Sequence, residues 1–321
     1  MKTICCDDSN IDELRRKYPN GLHFVVGDTH GEFPTLKLLM DKIKFDPETD
    51  NVYFLGDYNG GGNPANLVQY LSTYYTEDNA CTGFHLIRGN HERELGPYFP
   101  LENMPDIIVL KMKYMKYYMV HAGMIKSVFD LINADIANRP SESVFAYKLH
   151  DSCVGYDAPL RQIIWSRRGL YSQKSHWHLW PSQGDLYQNC AVILHGHTPY
   201  CFFMGHFSYG DDNLFWQNQH IWFSEDLQAL DIDANIKGRN EFGESWRGIS
   251  CVCLEVFDSI AGQNNSSLSV SDIIGAENGA FSAKYTFTNE SWQGGNLNRL
   301  LSADPQMKTI MIGAENVLCL Q

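Results

Sequence analysis

Leu22-His23-Phe24-Val25-Val26-Gly27-Asp28-Thr29-His30-Gly31 is an apolar run that ends in a carboxylate and an imidazole. Short runs of this kind read as strands buried in a sheet core. The same design recurs. Val52-Tyr53-Phe54-Leu55 precedes Gly56-Asp57-Tyr58, and Phe84-His85-Leu86-Ile87 precedes Gly89-Asn90-His91-Glu92. Ala191-Val192-Ile193-Leu194 leads to Gly196-His197-Thr198, and Tyr117-Tyr118-Met119-Val120 leads to His121-Ala122-Gly123. Ligands for a hard or borderline metal thus gather at the carboxyl ends of buried strands, where open α/β sheets place their sites. Asp28 and His30 are two apart, so an extended segment would turn both side chains the same way.

The 321 residues are enough for one large core, or one domain with an appendage. A net charge of −13 argues against a nucleic-acid backbone as principal partner, since phosphate contacts need Lys and Arg in quantity. It leaves small phosphorylated substrates open, because bound divalent cations reverse the local field. No apolar run reaches membrane length, and none near Met1 resembles a secretory leader. No membrane partner is expected. The nine cysteines show no disulfide spacing and are read as reduced thiols of a cytoplasmic protein. Cys251 and Cys253 are read as small buried residues on one strand face.

The spacing predicts a short helix over 9–18, strands at 22–28, 52–57 and 84–88, and helices at 32–43 and 64–75. A hairpin of 107–113 with 117–121 follows, then helical segments at 125–136 and 142–150. Strands return at 190–195, 227–232 and 249–257. This order implies a pair of mixed sheets with helices outside. Beyond Asp258, Gly262-Gln263-Asn264-Asn265-Ser266-Ser267 reads as a linker. The chain is accordingly divided into a domain over 1–258 and a small β-rich extension over 259–321. In that extension the string Ile-Gly-Ala-Glu-Asn occurs at 274–278 and again at 312–316.

Taken in order, GDTHG, GDYNGGG, GNHE, HAG and HGHT resemble the motif series of the calcineurin-like metallophosphoesterases. The resemblance spans residues 21 to 258 and points to the phosphoprotein-phosphatase branch. The GHTP form of the last motif is closer to bacterial phosphatases and symmetrical dinucleoside tetraphosphatases. It implies an α/β fold: a four-layer α/β/β/α sandwich with two mixed sheets. It also implies two divalent metal ions, with Asp28 and His30 on the first, Asp57 bridging, and Asn90, His121 and His197 on the second. Manganese is expected, with iron, zinc or nickel as alternatives. His91 is the implied proton donor to the leaving oxygen, and His195 is read as a support for a ligand.

One motif departs from the family. Where GDxxDRG places an Asp and an Arg, this chain has Gly60 and Gly61. In the family that Asp orients the catalytic histidine and that Arg grips the phosphate. The phosphate-binding candidates are therefore Arg167 and Arg168, in a Trp-Ser-Arg-Arg element resembling the bacterial W-x-R, and Arg93. His176 and His178 are read as part of a lid or surface rather than as a metal pair. The implied activity is hydrolysis of phosphate monoesters, on a phosphoprotein or small phosphoester, by direct attack of metal-bound hydroxide. The alternatives are a dinucleoside polyphosphate hydrolase, a phosphodiesterase, and a phosphatase-derived binding protein.

Overall fold

The computed structural model describes residues 2–5, 11–59, 64–75, 82–92, 104–149, 163, 180–197, 220–224, 228–233, 248–263, 280–284 and 317–320. In chain order the elements are β1 (Lys2–Cys5), α1 (Ile11–Lys17), β2 (His23–Val26), α2 (Phe33–Lys42), β3 (Asn51–Phe54), α3 (Pro64–Tyr74) and β4 (Gly83–Leu86). There follow β5 (Ile107–Lys111), β6 (Lys116–Val120), α4 (Lys126–Asn138), β7 (Val144–Leu149), α5 (Gln183–Gln188) and β8 (Ala191–His195). The last are β9 (His220–Ser224), β10 (Ala229–Asp231), β11 (Gly248–Cys253), α6 (Leu254–Gln263), β12 (Ala280–Lys284) and β13 (Val317–Leu320).

These strands form two mixed sheets, one of order β12-β11-β2-β3-β4 and one of order β1-β9-β10-β8-β6-β5-β7-β13. In the first, β2, β3 and β4 run parallel. In the second, β6, β8 and β10 run parallel. Strand alternation sorts the side chains into layers. Phe24, Val26, Val52 and Phe54 face α2 and α3, packing with Leu36, Leu39 and Leu67. Their neighbours Val25, Tyr53 and Leu55 point the other way and meet Ile108, Tyr117, Met119, Val192 and Leu194 of the second sheet. Ile107, Val109, Tyr118 and Ile193 turn outward under α4, against Phe129, Ile132 and Ile136. The result is the expected helix–sheet–sheet–helix sandwich. Among the described residues no helix is long and apolar enough to cross a membrane.

Two expected elements are corrected. Within the helix expected over 142–150, Val144–Leu149 is strand β7, paired antiparallel to β5 with Phe145 opposite Val109. The open edge of β5 offers hydrogen bonds that an isolated helical reading ignores, and pairing decides the outcome. The strand expected over 249–257 stops at Cys253, and α6 begins at once. Leu254, Phe257 and Ala261 are buried at helical spacing. That turn also carries the Glu255 and Asp258 carboxylates back to the amides of His23, Tyr114 and Met115. The boundary expected at 258 therefore falls inside α6. From beyond it, β12 pairs with β11 and β13 with β7. The repeated pentapeptide lies outside the described residues.

Candidate metal centre

Six strand ends converge on one place. From the first sheet β2 delivers Asp28 and His30, β3 delivers Asp57, and β4 delivers Asn90 and His91. From the second, β6 delivers His121 and β8 delivers His195 and His197, with Asp231 at the end of β10. Asp28, His30, Asp57, Asn90, His121 and His197 are all at least nine-tenths buried. Such close approach of backbones leaves no room for side chains at the preceding glycines. A Cβ on Gly196 would lie 2.1 Å from Asp28 Oδ1. Gly56 has φ +103°, and a Cβ there would lie 2.7 Å from the Gly89 Cα.

Three of the polar residues adopt left-handed backbone themselves: His30 at φ 45°, Asp57 at 55° and His197 at 67°. Each conformation costs about 1–2 kcal/mol. Each is pinned by its own amide. His30 N donates to Asp57 O at 2.7 Å. Asp57 N donates to Glu92 Oε2 at 3.0 Å. His197 N donates to Asp28 Oδ1 at 3.0 Å. The extended geometry expected for Asp28 and His30 is therefore corrected. The two side chains still meet, with His30 Nε2 3.6 Å from Asp28 Oδ2, but through a turn rather than a pleat.

The imidazoles are set by backbone carbonyls. His121 Nδ1 lies 2.7 Å from Leu55 O, and His30 Nδ1 lies 2.9 Å from Asn59 O. A carbonyl only accepts, so Nδ1 carries the proton in both rings and the Nε2 lone pair is turned inward. Those lone pairs meet further acceptors. His121 Nε2 is 2.9 Å from Asn90 Oδ1 and 3.3 Å from Asp57 Oδ1, with His197 Nδ1 also 3.1 Å away. His30 Nε2 is 3.7 Å from Asp57 Oδ2, and His91 Nε2 is 3.9 Å from the same oxygen. Buried acceptors facing acceptors are costly unless a cation sits among them. The donor set, imidazole nitrogen with carboxylate and amide oxygen, suits a divalent transition metal. Two groups of ligand atoms result, His30-Asp57-His91 and Asp57-His121-His197, with Asp57 common to both.

The electrostatics agree. Burial, then the charges of Asp233, Asp57 and Asp231, hold the Asp28 carboxyl well above its usual range. Burial also opposes charge on Asp57, but His121, His30 and His91 in their protonated forms outweigh that and lower its value, a role a cation takes over once the rings are neutral ligands. Glu92 is fully buried and accepts from the amides of Gly89, Asp57 and Tyr58 at 2.5, 3.0 and 2.7 Å. Burial and the Asp57 charge push it up to about 8.

The structure thus brings together Asp28, His30, Asp57, Asn90, His91, His121 and His197. His91 is the most open of them, its side chain 25% exposed, and its amide donates to Asp57 Oδ1 at 2.9 Å. His195 is buried behind His197, its ring edge-on to Trp180 at 5.7 Å and its Nδ1 3.2 Å from Gly196 O. Arg93, Arg167, Arg168, Gly60, Gly61, His176 and His178 lie outside the described residues. Sequence reasoning missed Asp231 and Asp233. Both carry the signal that marked the candidate ligands, a carboxylate closing an apolar run, but their motif has no catalytic pattern.

The sequence profile described as calcineurin-like phosphoesterase matches residues 24–201, more than half of the chain. A symmetrical bis(5'-nucleosyl)-tetraphosphatase of Actinobacillus succinogenes is 33% identical over 72 residues, which are 22% of this chain and 24% of that protein. Its counterpart from Wigglesworthia glossinidia brevipalpis is 27% identical over 127 residues, covering 32% of this chain and 45% of that protein. The matches therefore span less than half of either relative. Among solved structures, a protein serine/threonine phosphatase from Saccharomyces cerevisiae is similar with TM-score 0.47 and 15% identity, over 88% of this chain and 89% of that one. A cold-active protein tyrosine phosphatase is similar with TM-score 0.39 and 15% identity, over 73% and 75%.

Proposed function

The chain belongs to the calcineurin-like phosphoesterase family, and from that premise we propose that it is a phosphoric ester hydrolase working with two divalent cations. The observation that carries this reading is the pair of ligand groups sharing Asp57. Asp28, whose Oδ2 lies 3.6 Å from His30 Nε2, would join His30 on one cation in place of the more open His91, and Asn90, His121 and His197 would hold the other, with Asp57 between them. When bound, the cations acidify a water and neutralise phosphoryl oxygens. Manganese is the cation expected first. A reducing cytoplasm is the expected compartment, and no disulfide links Cys190, Cys251 or Cys253.

The protein's own groups do the rest. The left-handed turns at His30, Asp57 and His197 fix the ligands before substrate arrives, so little reorganisation is needed during reaction. Leu55 O and Asn59 O hold the tautomers of His121 and His30. His91, on the open side and tied by its amide to Asp57, hands a proton to the leaving oxygen, which departs poorly as an alkoxide. Arg167, Arg168 and Arg93 are the candidates to grip the phosphate.

The first substrate reading is a phosphate monoester, on a phosphoprotein or small molecule. The second is a symmetrical dinucleoside tetraphosphate, favoured by the two bacterial relatives. Turnover of a phosphopeptide and of diadenosine tetraphosphate by manganese-loaded protein separates them, with Asp57→Asn as control. Turnover of either, abolished by Asp57→Asn, supports the hydrolase. Metal binding with turnover of neither overturns both substrate readings and turns the case toward diesters or a binding role.

A further inference from the structure

The sandwich holds a cavity that the metal centre does not use. Its volume is about 610 Å³, and it lies where β2 and β3 begin, against the end of β5, the turn that follows it and the first turns of α6. His23 opens β2, whereas Asp28 lies beyond the far end of that strand, so the cavity and the metal centre sit at opposite ends of the sheets. The size is that of a small-molecule site.

Three tyrosines line the cavity, and two are committed to the fold. Tyr18 Oη donates to Glu255 O at 3.3 Å. The Tyr114 ring lies where Gly262 leaves room for it, since a Cβ on that glycine would be 2.3 Å from the ring. Tyr53 is different. Its ring is fully buried and stacks with His23 and His85, at centroid distances of 6.3 and 4.6 Å. Its hydroxyl has no hydrogen-bond partner among the described residues. Leaving a buried hydroxyl so is costly to the fold, and this one can donate to a guest or accept from it.

The cavity also gathers cations in a chain whose net charge is −13. Lys17 Nζ lies 5.1 Å over the Tyr18 ring, and Lys113 Nζ lies 4.8 Å over the Tyr114 ring. Lys111 Nζ donates to Pro140 O at 2.9 Å, which leaves its charge unbalanced. Among the described residues none of the three closes a salt bridge. Two carboxylates line the cavity as well, and both are occupied. Glu255 Oε1 lies 2.6 Å from His23 Nδ1, and Asp258 Oδ1 accepts from the amides of Tyr114 and Met115 at 3.0 and 2.9 Å.

We propose that this cavity is a second ligand site, for an aromatic phosphate of mononucleotide size. The phosphate lies against Lys17, Lys111 and Lys113, the ring runs along Tyr18 and Tyr114, and a polar edge of the ring meets the Tyr53 hydroxyl. A phosphate monoester carries close to two negative charges at neutral pH, which suits three ammonium groups better than a single carboxylate does. The site does not depend on what the metal centre hydrolyses.

AMP is the probe, because it joins a flat, hydrogen-bonding ring to a phosphate. It is titrated by calorimetry into the full chain in chelator, so that no cation at the metal centre holds the phosphate or turns it over. Wild type is compared with Tyr53→Phe, with Lys17→Ala/Lys113→Ala and with Asp57→Asn. Tyr53→Phe keeps the ring and its stacking and removes only the hydroxyl. It is expected to bind AMP about 3- to 10-fold more weakly, the worth of one neutral hydrogen bond, while melting at or above the wild-type temperature. The lysine variant is expected to bind about 2- to 30-fold more weakly, most of all at low salt. Adenosine, which has no phosphate, should show a similar loss on the wild type. Asp57→Asn should bind AMP as the wild type does. The proposal is overturned if the wild type takes up no AMP, or if Tyr53→Phe and the lysine variant bind it as tightly as the wild type. It is also overturned if Asp57→Asn loses the binding, which would put AMP at the metal centre.

Discussion

The two ends of the parallel strands β2, β3 and β4 are built from the same residue types and satisfied in opposite ways. At the amino-terminal end, His23, Asn51, His85 and Glu255 form a relay of three side-chain hydrogen bonds. His85 Nε2 donates to Asn51 Oδ1 at 2.9 Å. Asn51 Nδ2 donates to His23 Nε2 at 3.4 Å. His23 Nδ1 donates to Glu255 Oε1 at 2.6 Å. Nearby, Asp50 accepts from Arg15 twice and from the amides of Leu22 and Asp46. At the carboxyl-terminal end, the lone pairs of His121, Asn90 and Asp57 face one another. A closed network stabilises the fold by itself, and an acceptor-rich one waits for a cation. The difference is a physical signature of which end is built to hold metal.

The comparison breaks most sharply at the shared ligand. Asp57→Asn should take turnover down by more than the roughly 100-fold that loss of an outer metal partner costs, and lower manganese stoichiometry. The metal-free melting temperature should fall slightly, because the fold lowers the pKa of Asp57 and so stabilises its charged form. A metal-free variant that melts well below wild type would mean that this end, too, is a structural network.

The mirror experiment is Asp50→Ala. It leaves two amides without their acceptor and takes the carboxylate from the Arg15 guanidinium, which keeps the carbonyls of Ile43 and Lys44, a loss of about 3 kcal/mol in chemical denaturation. Manganese affinity should not change. Asn51→Ala is the milder form of the same test. It cuts the relay on both sides and should cost about 2 kcal/mol. If either variant alters metal binding, the two ends are coupled through the strands and the contrast drawn above is too simple.

The smallest effect concerns pH. Burial holds Asp258 above the usual carboxylate range, outweighing the amides of Tyr114 and Met115. Its proton is therefore held more tightly in the folded state. The wild type has the full benefit below the unfolded pKa of about 3.9 and loses it as pH rises through the higher folded value. Asp258→Asn keeps an oxygen for both amides and carries no charge. It should be slightly more stable than wild type at neutral pH, with the gain gone below about pH 4, as read from urea unfolding at the two values.

Local chemistry carried much of the fold. Val25, Tyr53 and Leu55 announce their strands by apolar character and length, and Leu36, Leu39 and Met40 announce α2 by spacing. β7 was misread because Val144 to Leu149 takes its structure from the edge of β5, 35 or so residues earlier in the chain. The break at Cys253 was missed for a similar reason. What turns the chain there is the carboxylate contacts of Glu255 and Asp258 with β2 and with the turn joining β5 to β6.

The sequence by itself determined the inventory: buried strands, each ending in a glycine or a turn and then an Asp, Asn or His, in an order that few folds share. Residue type and order are local properties, and they survive without coordinates. Tertiary structure alone decided the rest. It set His30, Asp57 and His197 into left-handed turns, assigned Glu92 to clasp three amides from two strand ends, and pressed the backbone of Ile232 and Asp233 against Gly27. These depend on groups distant in the chain meeting in a space too small for a Cβ. Such meetings are set by sheet register and packing, which no single stretch of sequence contains.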